Sequence, residues 1–206
     1  MSIAAVVLAA GRGSRLHTDA PKPLVPYRGR PLVDWALDAA RASGCRPLVL
    51  VVGNDAAAVA ARAPADVRVV TAPDWADGIS ASLRAALGAL GPDPAVDAVC
   101  IGLADQPRVG AEAYRRLVTA GEEGADIAVA TYDGVRANPV LLGRSVWPEA
   151  LALTGDEGAR QLMRRRPVRE VDCTGTGDPA DVDTLDDLAA LDAAPPTQPA
   201  SPTETS

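Results

Sequence analysis

Residues 6–23, VVLAAGRGSRLHTDAPKP, carry an apolar run of β character into a loop that holds two glycines, two arginines and a lysine set between two prolines. Gly11 and Gly13 lack the Cβ that keeps a ligand off the backbone, so successive amides can turn toward one anion. Arg12, Arg15 and Lys22 add fixed positive charge beside those amides, which suits the phosphates of a nucleotide. Two common phosphate loops are excluded. No Gly-Lys-Ser/Thr follows Gly13, and Leu16 stands where a dinucleotide fingerprint has its third glycine.

Carboxylates supply the complementary charge. Asp105 ends the apolar run AVCIGLADQP (98–107), where a parallel sheet presents residues to its ligands. It either caps the next helix or, with a bound triphosphate, holds Mg²⁺, which favours one or two carboxylates plus substrate phosphates. In DPADVDTLDDL (178–188) Asp181 and Asp183 alternate on an extended segment, so both point to one side. The same residues also read as an ordinary helix start at Thr184, with Asp186 and Asp187 in the first turn. GISASLRAAL (78–87) opens a helix with Ser80 and Ser82, donors for a base or ribose or simply part of a capped turn. His17, the only histidine, reads as a solvated loop residue.

These groups need a scaffold. Apolar runs at 3–9, 47–52, 67–70, 96–103 and 126–130 alternate with Ala-rich segments of helical period at 31–43, 55–63, 78–90 and 110–120. Pro31 suits the first position of its helix and Gly44 its end. Strands apolar on both faces, each followed by a helix, predict an α/β fold: a three-layer α/β/α sandwich with a Rossmann-like, mostly parallel sheet. The pattern breaks between 131 and 171, where NPVLLG (138–143) reads as a strand, 144–152 as a short helix, and another helix follows Gly155.

With 206 residues the chain suits one domain, expected over 1–192, and the Pro/Ser/Thr-rich residues 193–206 read as a disordered tail. A net charge of −7 argues against nucleic acid or an anionic membrane as partner. A polyanion is still accommodated, because charges beyond a Debye length of about 8 Å are mostly screened. Cys45, Cys100 and Cys173 are odd in number and lack CxxC spacing, so buried reduced thiols are expected. With no signal segment and no run of about 18 apolar residues, the expected location is cytoplasmic.

Six motifs together carry a resemblance: LAAGRGSRL with KPL at 8–24, GISASL at 78–83, LADQP at 103–107, NPVLLGR at 138–144, LTGDEGARQL at 153–162 and DVDTLDDL at 181–188. The chain resembles the MobA-like nucleotidyltransferases over roughly residues 3–191, and within them the molybdenum cofactor cytidylyltransferases. Ala10, giving LAAG where guanylyltransferases typically carry LAGG, leans toward the cytidylyl branch.

The resemblance implies that CTP and molybdenum-molybdopterin give molybdopterin cytosine dinucleotide and pyrophosphate, with Mg²⁺ as cofactor. Leu8, Ala9, Ala10, Gly11 and Gly13 then line the nucleotide. Arg15 holds the β- and γ-phosphates, Lys22 stabilises the α-phosphate, and Asp105 with Asp183 anchors the metal. Ser80 and Ser82 fix ribose or base, while Arg136, Arg144 or, foremost, Arg160 receives the acceptor's phosphate. A molybdoenzyme or its maturation chaperone is the implied recipient. A guanylyl- or other nucleotidyltransferase stays open, as does, in a different class, a MobA-like oxidoreductase.

Overall fold

The structure is a computed structural model, and it describes residues 1–13, 16 and 20–193. Ile3–Ala9 (β1) is buried throughout. Its odd positions face one core cluster and its even positions another, which is what a strand covered on both faces requires. A two-stranded hairpin, Pro26–Tyr27 (β2) and Arg30–Pro31 (β3), then leads into Leu32–Ala42 (α1). Leu48–Val52 (β4), Ala56–Ala60 (α2), Val67–Thr71 (β5), Ile79–Leu90 (α3), Ala98–Leu103 (β6) and Ala111–Glu122 (α4) complete the alternating part.

From there the alternation gives way to a hairpin of Ile127–Tyr132 (β7) and Val135–Gly143 (β8). Trp147–Leu151 (α5), Arg160–Met163 (α6), Arg169–Asp172 (β9) and Leu185–Ala193 (α7) follow. The seven-stranded sheet runs β5-β4-β1-β6-β8-β7-β9. β8 pairs antiparallel with both β6 and β7, and every other pairing in the sheet is parallel. The α/β sandwich with a mostly parallel sheet is therefore what the pattern of apolar runs predicted. α1 and α4 cover one face through Val33, Leu37, Tyr114 and Leu117, and α3 and α5 cover the other through Leu83, Leu87 and Trp147.

Several boundaries differ from expectation. Pro31 belongs to β3 and precedes α1. The helix expected at 55–63 is α2, five residues long, because Pro64 follows soon after. Residues 144–152 divide into a 3₁₀ turn, Arg144–Val146, and α5, and the helix expected straight after Gly155 begins only at Arg160. Strand β9 was not foreseen. Its sequence, Arg-Glu-Val-Asp, is that of an edge strand, charged and largely exposed, with no apolar run to betray it. All three cysteines are buried. The proposed tail lies, apart from Ala193, outside the described residues, and among the described residues no helix is long and apolar enough to cross a membrane.

The register between β1 and β6 positions the site. Leu8 pairs with Leu103, and the amide of Ala104 donates to the carbonyl of Leu8 at 3.0 Å, so both chains leave the sheet at one level. The glycine loop and Asp105 thereby stand side by side at the strands' carboxyl ends, where the chain turns from β1 out to β4 and later back to β6. Leu141 of β8 is wholly buried, and its side chain fills the space beside Gly121 of α4. Leu141→Ala is expected to cost about 2–5 kcal/mol in denaturant unfolding, because the rigid sheet cannot collapse into the void.

Candidate functional site

Lys22 lies at the centre of the sheet edge. It opens a short 3₁₀ turn, Lys22–Leu24, between Pro21 and Pro23, and its stem packs directly over Gly13. A Cβ at Gly13 would overlap Lys22, and the backbone there has φ +63°, so both the fit and the conformation favour glycine. The Lys22 ammonium donates to Asp105 Oδ2 at 2.5 Å and to Asp183 Oδ1 at 2.7 Å. Its side chain is only 11% exposed. Burial alone would lower the lysine pKa, but the two carboxylates outweigh it and hold the ammonium above its usual value.

The second carboxylate arrives from the far end of the chain. The segment carrying Asp181 and Asp183 is pinned by the amide of Val182, which donates to the carbonyl of Asp105 at 2.9 Å. Beyond it, Asp187 Oδ2 accepts from the amides of Asp183 and Thr184, and Thr184 Oγ1 accepts from the amide of Asp187. This reciprocal cap starts α7, so the helix-start reading of these residues holds. Asp183 also reaches the cavity, and the two roles coexist. Asp181 is exposed as a residue, yet partial desolvation of its carboxyl and the nearby Asp105 push its pKa up.

Around these groups lies a cavity of about 680 Å³. Leu8, Ala9, Ala10, Gly11 and Gly13 line it, as do Arg12, Lys22, Ser82, Asp105, Asp181 and Asp183. Arg15 and His17 lie outside the described residues. Ser80 departs from expectation. It is wholly buried, its hydroxyl finds no partner among the described residues, and it does not line the cavity, because the first turn of α3 presents Ser82 instead.

A second cavity of about 400 Å³ adjoins the first and shares Leu8, Ile79, Leu103 and Asp156 with it. Its floor is aliphatic, from Leu83, Ile101, Val129, Val140 and Met163, and its rim carries Arg136, Asn138, Arg160 and Arg164. Arg136 pairs with Glu170 and Arg164 with Glu157, whereas Arg160 is exposed at the rim. Arg144 does not belong to either cavity. Its guanidinium donates to the carbonyls of Gly91, Asp93 and Val96 at 2.6–2.8 Å and lies over Trp147, so its work is structural.

Three contributors escape a reading of the sequence. Trp75 walls the first cavity, with the Arg12 guanidinium 5.7 Å from its ring centroid. Asp156 stands where the two cavities meet, against Gly78 at the start of α3. Gln106, buried behind Asp105, donates to the carbonyl of Pro179 at 2.8 Å. A tryptophan beside a glycine-led helix start was the local signal for Trp75; Asp156 and Gln106 lie within the LTGDEGARQL and LADQP motifs, but their places in the site depend on long-range contacts.

A sequence model of the MobA-like NTP transferase domain matches residues 5–171. The chain belongs to the MobA-like NTP transferase family. Among solved structures it is similar to Rv0371c from Mycobacterium tuberculosis H37Rv, with 37% identity, a TM-score of 0.82, and coverage of 94% of this chain and 98% of that one. Rv0371c has also been solved in complex with manganese, at 36% identity, a TM-score of 0.79, and coverage of 93% of this chain and 98% of that one. A further relative is the nicotine blue oxidoreductase of Paenarthrobacter nicotinovorans, 34% identical over 200 residues, which span 92% of this chain and 96% of the relative. This MobA-like chain thus aligns over more than nine-tenths of its length with each of them.

The arginines give a direct check. Arg144→Ala is expected to lower unfolding free energy by about 1–3 kcal/mol, since it strips partners from three carbonyls. Arg160→Ala should stay within about 0.5 kcal/mol of the parent in the same denaturant titration.

Proposed function

We propose that this MobA-like NTP transferase moves CMP from CTP to the terminal phosphate of molybdenum-molybdopterin, releasing pyrophosphate. One observation carries the reading: a buried lysine held between two carboxylates at a glycine loop, in a cavity that opens directly onto a second, apolar one with an arginine rim. A polyanion on the charged side and a ring system on the apolar side would meet at Asp156. The Ala10 side chain at the cavity wall and the Asp-Gln-Pro and Gly-Asp-Glu-Gly-Ala-Arg strings favour the cytidylyl branch.

The residues fit a divalent cation. Asp105 and Asp183 already grip one positive charge, and two carboxylates completed by substrate phosphates is the donor set that Mg²⁺ prefers. Among the described residues no group of three or more ligating side chains forms a closed cage, so the nucleotide's oxygens would complete the coordination. When bound, the ion neutralises charge on the triphosphate and the leaving pyrophosphate. The rest of the work is alignment. The amides of the Gly11–Gly13 loop, with Arg12, face the phosphates. Lys22, released from the carboxylates, stabilises negative charge developing at the α-phosphate, and Ser82 offers a hydroxyl to the ribose or base. Arg160 draws in the acceptor's phosphate. That phosphate is itself the nucleophile, so no side chain has to remove a proton from it.

A second reading is a MobA-like oxidoreductase. The full-length relationship to a nicotine blue oxidoreductase favours it, as does the aliphatic floor of the second cavity.

Pyrophosphate release, measured with each of the four NTPs and Mg²⁺, with and without molybdenum-molybdopterin, separates these readings. CTP-selective release that needs the acceptor is the expected result; oxidation of a reduced nicotinamide dinucleotide without pyrophosphate would select the second. Asp105→Asn should reduce turnover at least about 100-fold while the fold persists.

Lys22 and a divalent cation compete for the same two oxygens. Lys22→Met is therefore expected to melt at lower temperature in chelator, where the two carboxylates lose the ammonium between them. It should bind Mn²⁺ about tenfold more tightly than the parent in the absence of nucleotide, and Mn²⁺ should restore its melting temperature.

A further inference from the structure

Asp105 and Asp183 lie 78 residues apart along the chain (183 − 105), and a shared cation requires their oxygens to face each other within a fraction of an ångström of the right spacing. Asp105 is fixed by the end of β6. Asp183 sits on residues 177–183, which form no helix or strand, so nothing within that segment sets its position. On its far side the Thr184–Asp187 cap anchors it. On its near side the segment lies along residues 105–108. The amide of Val182 donates to Asp105, the amide of Asp178 donates to Arg108 at 3.0 Å, and Gln106 Nε2 donates to Pro179 at 2.8 Å. Gln106 supplies the side-chain bond of these three, and its side chain also hydrogen-bonds the Asp181 carboxyl on the same segment.

Its placement is costly if packing were its only purpose. Gln106 is 4% exposed, and its Oε1 has no hydrogen-bond partner among the described residues. A leucine of similar size would fill that space without stranding a polar atom. The amide is worth that penalty only if the direction of its N–H bond matters.

We propose that Gln106 is a positioning residue for the carboxylate pair: by holding the carbonyl of Pro179 it sets the path of residues 179–183 and thus the distance from Asp183 to Asp105. The inference rests on the reading of that pair as the divalent-cation ligands. Gln106 itself touches neither nucleotide nor ion; its hydrogen bond to Pro179 acts through the backbone. A residue with this role governs how well the pair grips a cation and has little bearing on how phosphates meet the glycine loop.

The test is Mn²⁺ binding to the full chain in the absence of nucleotide and polyphosphate, read from the paramagnetic resonance of free Mn²⁺, with inorganic tripolyphosphate binding measured separately in chelator. Gln106→Leu, Asp183→Asn and the double variant are compared. Gln106→Leu is expected to weaken Mn²⁺ binding at least tenfold while tripolyphosphate binding in chelator stays within twofold and the melting temperature does not fall. The double variant should bind no more weakly than Asp183→Asn alone, since both changes act on one ligand. Gln106→Asn keeps an amide that cannot reach Pro179, should behave as the leucine variant does, and serves if that variant fails to fold. Parental Mn²⁺ affinity in the folded Gln106 variants, with Asp183→Asn impaired, overturns this inference and leaves the cation reading intact. Parental affinity in Asp183→Asn removes the cation reading itself, and this inference with it.

Discussion

Everything at the sheet edge depends on one partly buried positive charge. The ammonium of Lys22 bridges carboxylates that lie 83 and 161 residues away along the chain, and it is the bond between the glycine loop, the end of β6 and the approach to α7. Two unit charges at 4 Å interact by roughly 4 kcal/mol at an effective dielectric of 20, and partial burial of all three groups keeps salt from screening that attraction. The overall charge of −7 has little say at this distance. What counts is that one ammonium is shared by two carboxylates. On the proposed reading, a divalent ion would take the carboxylates and the lysine would move to a ligand's phosphates.

The scaffold makes this arrangement possible through register more than through any local motif. Leu8 opposite Leu103 brings the glycine loop and Asp105 to one height, and the small satellite cluster of Leu16, Val25, Tyr27, Leu32, Val182 and Leu191 ties the lysine's segment to the segment bearing Asp183. The charged cavity and the apolar one then sit on either side of Ile79, Leu103 and Asp156. The close approach of Asp156 to α3 depends on Gly78, where a Cβ would strike the carboxylate. That approach also puts the anion against a helix N-terminus, where the backbone's partial positive charge is favourable to it.

Much of the charged half was legible in the chain because its signals are local. A glycine loop after an apolar run, an aspartate at the end of another, and two aspartates at alternate positions each announce themselves within ten residues. The uneven parts have physical explanations. Ser80 and Ser82 look alike in sequence, and only the rotation of the first turn of α3 decides that Ser82 faces the cavity. Arg144 and Arg160 are equally basic, but Arg144 finds three carbonyls contributed by residues 91–96, a contact fixed by how β8 meets β6. The β7–β8 hairpin did carry a local mark, Asp133-Gly134 with both residues at positive φ, the signature of a tight two-residue turn. It was obscured because the surrounding pattern suggested strands joined by helices.

The second cavity was the least legible part, and the reason bears on how such a family diversifies. Phosphate recognition requires a few charges and amides at set positions, which constrains residue type strongly. The second cavity is floored by aliphatic side chains from β1, β6, β7, β8, α3 and α6, nearly all of which any buried strand or helix would carry anyway. Their identity therefore encodes packing first and ligand shape only through the volume they leave. Changing that volume costs the fold little so long as the core stays filled, whereas changing Lys22, Asp105 or Asp183 strands a buried charge. One scaffold can then keep its charged half and exchange the molecule it meets on the apolar half. The kinship of this chain with proteins bearing both transferase and oxidoreductase names is the outcome that this asymmetry favours.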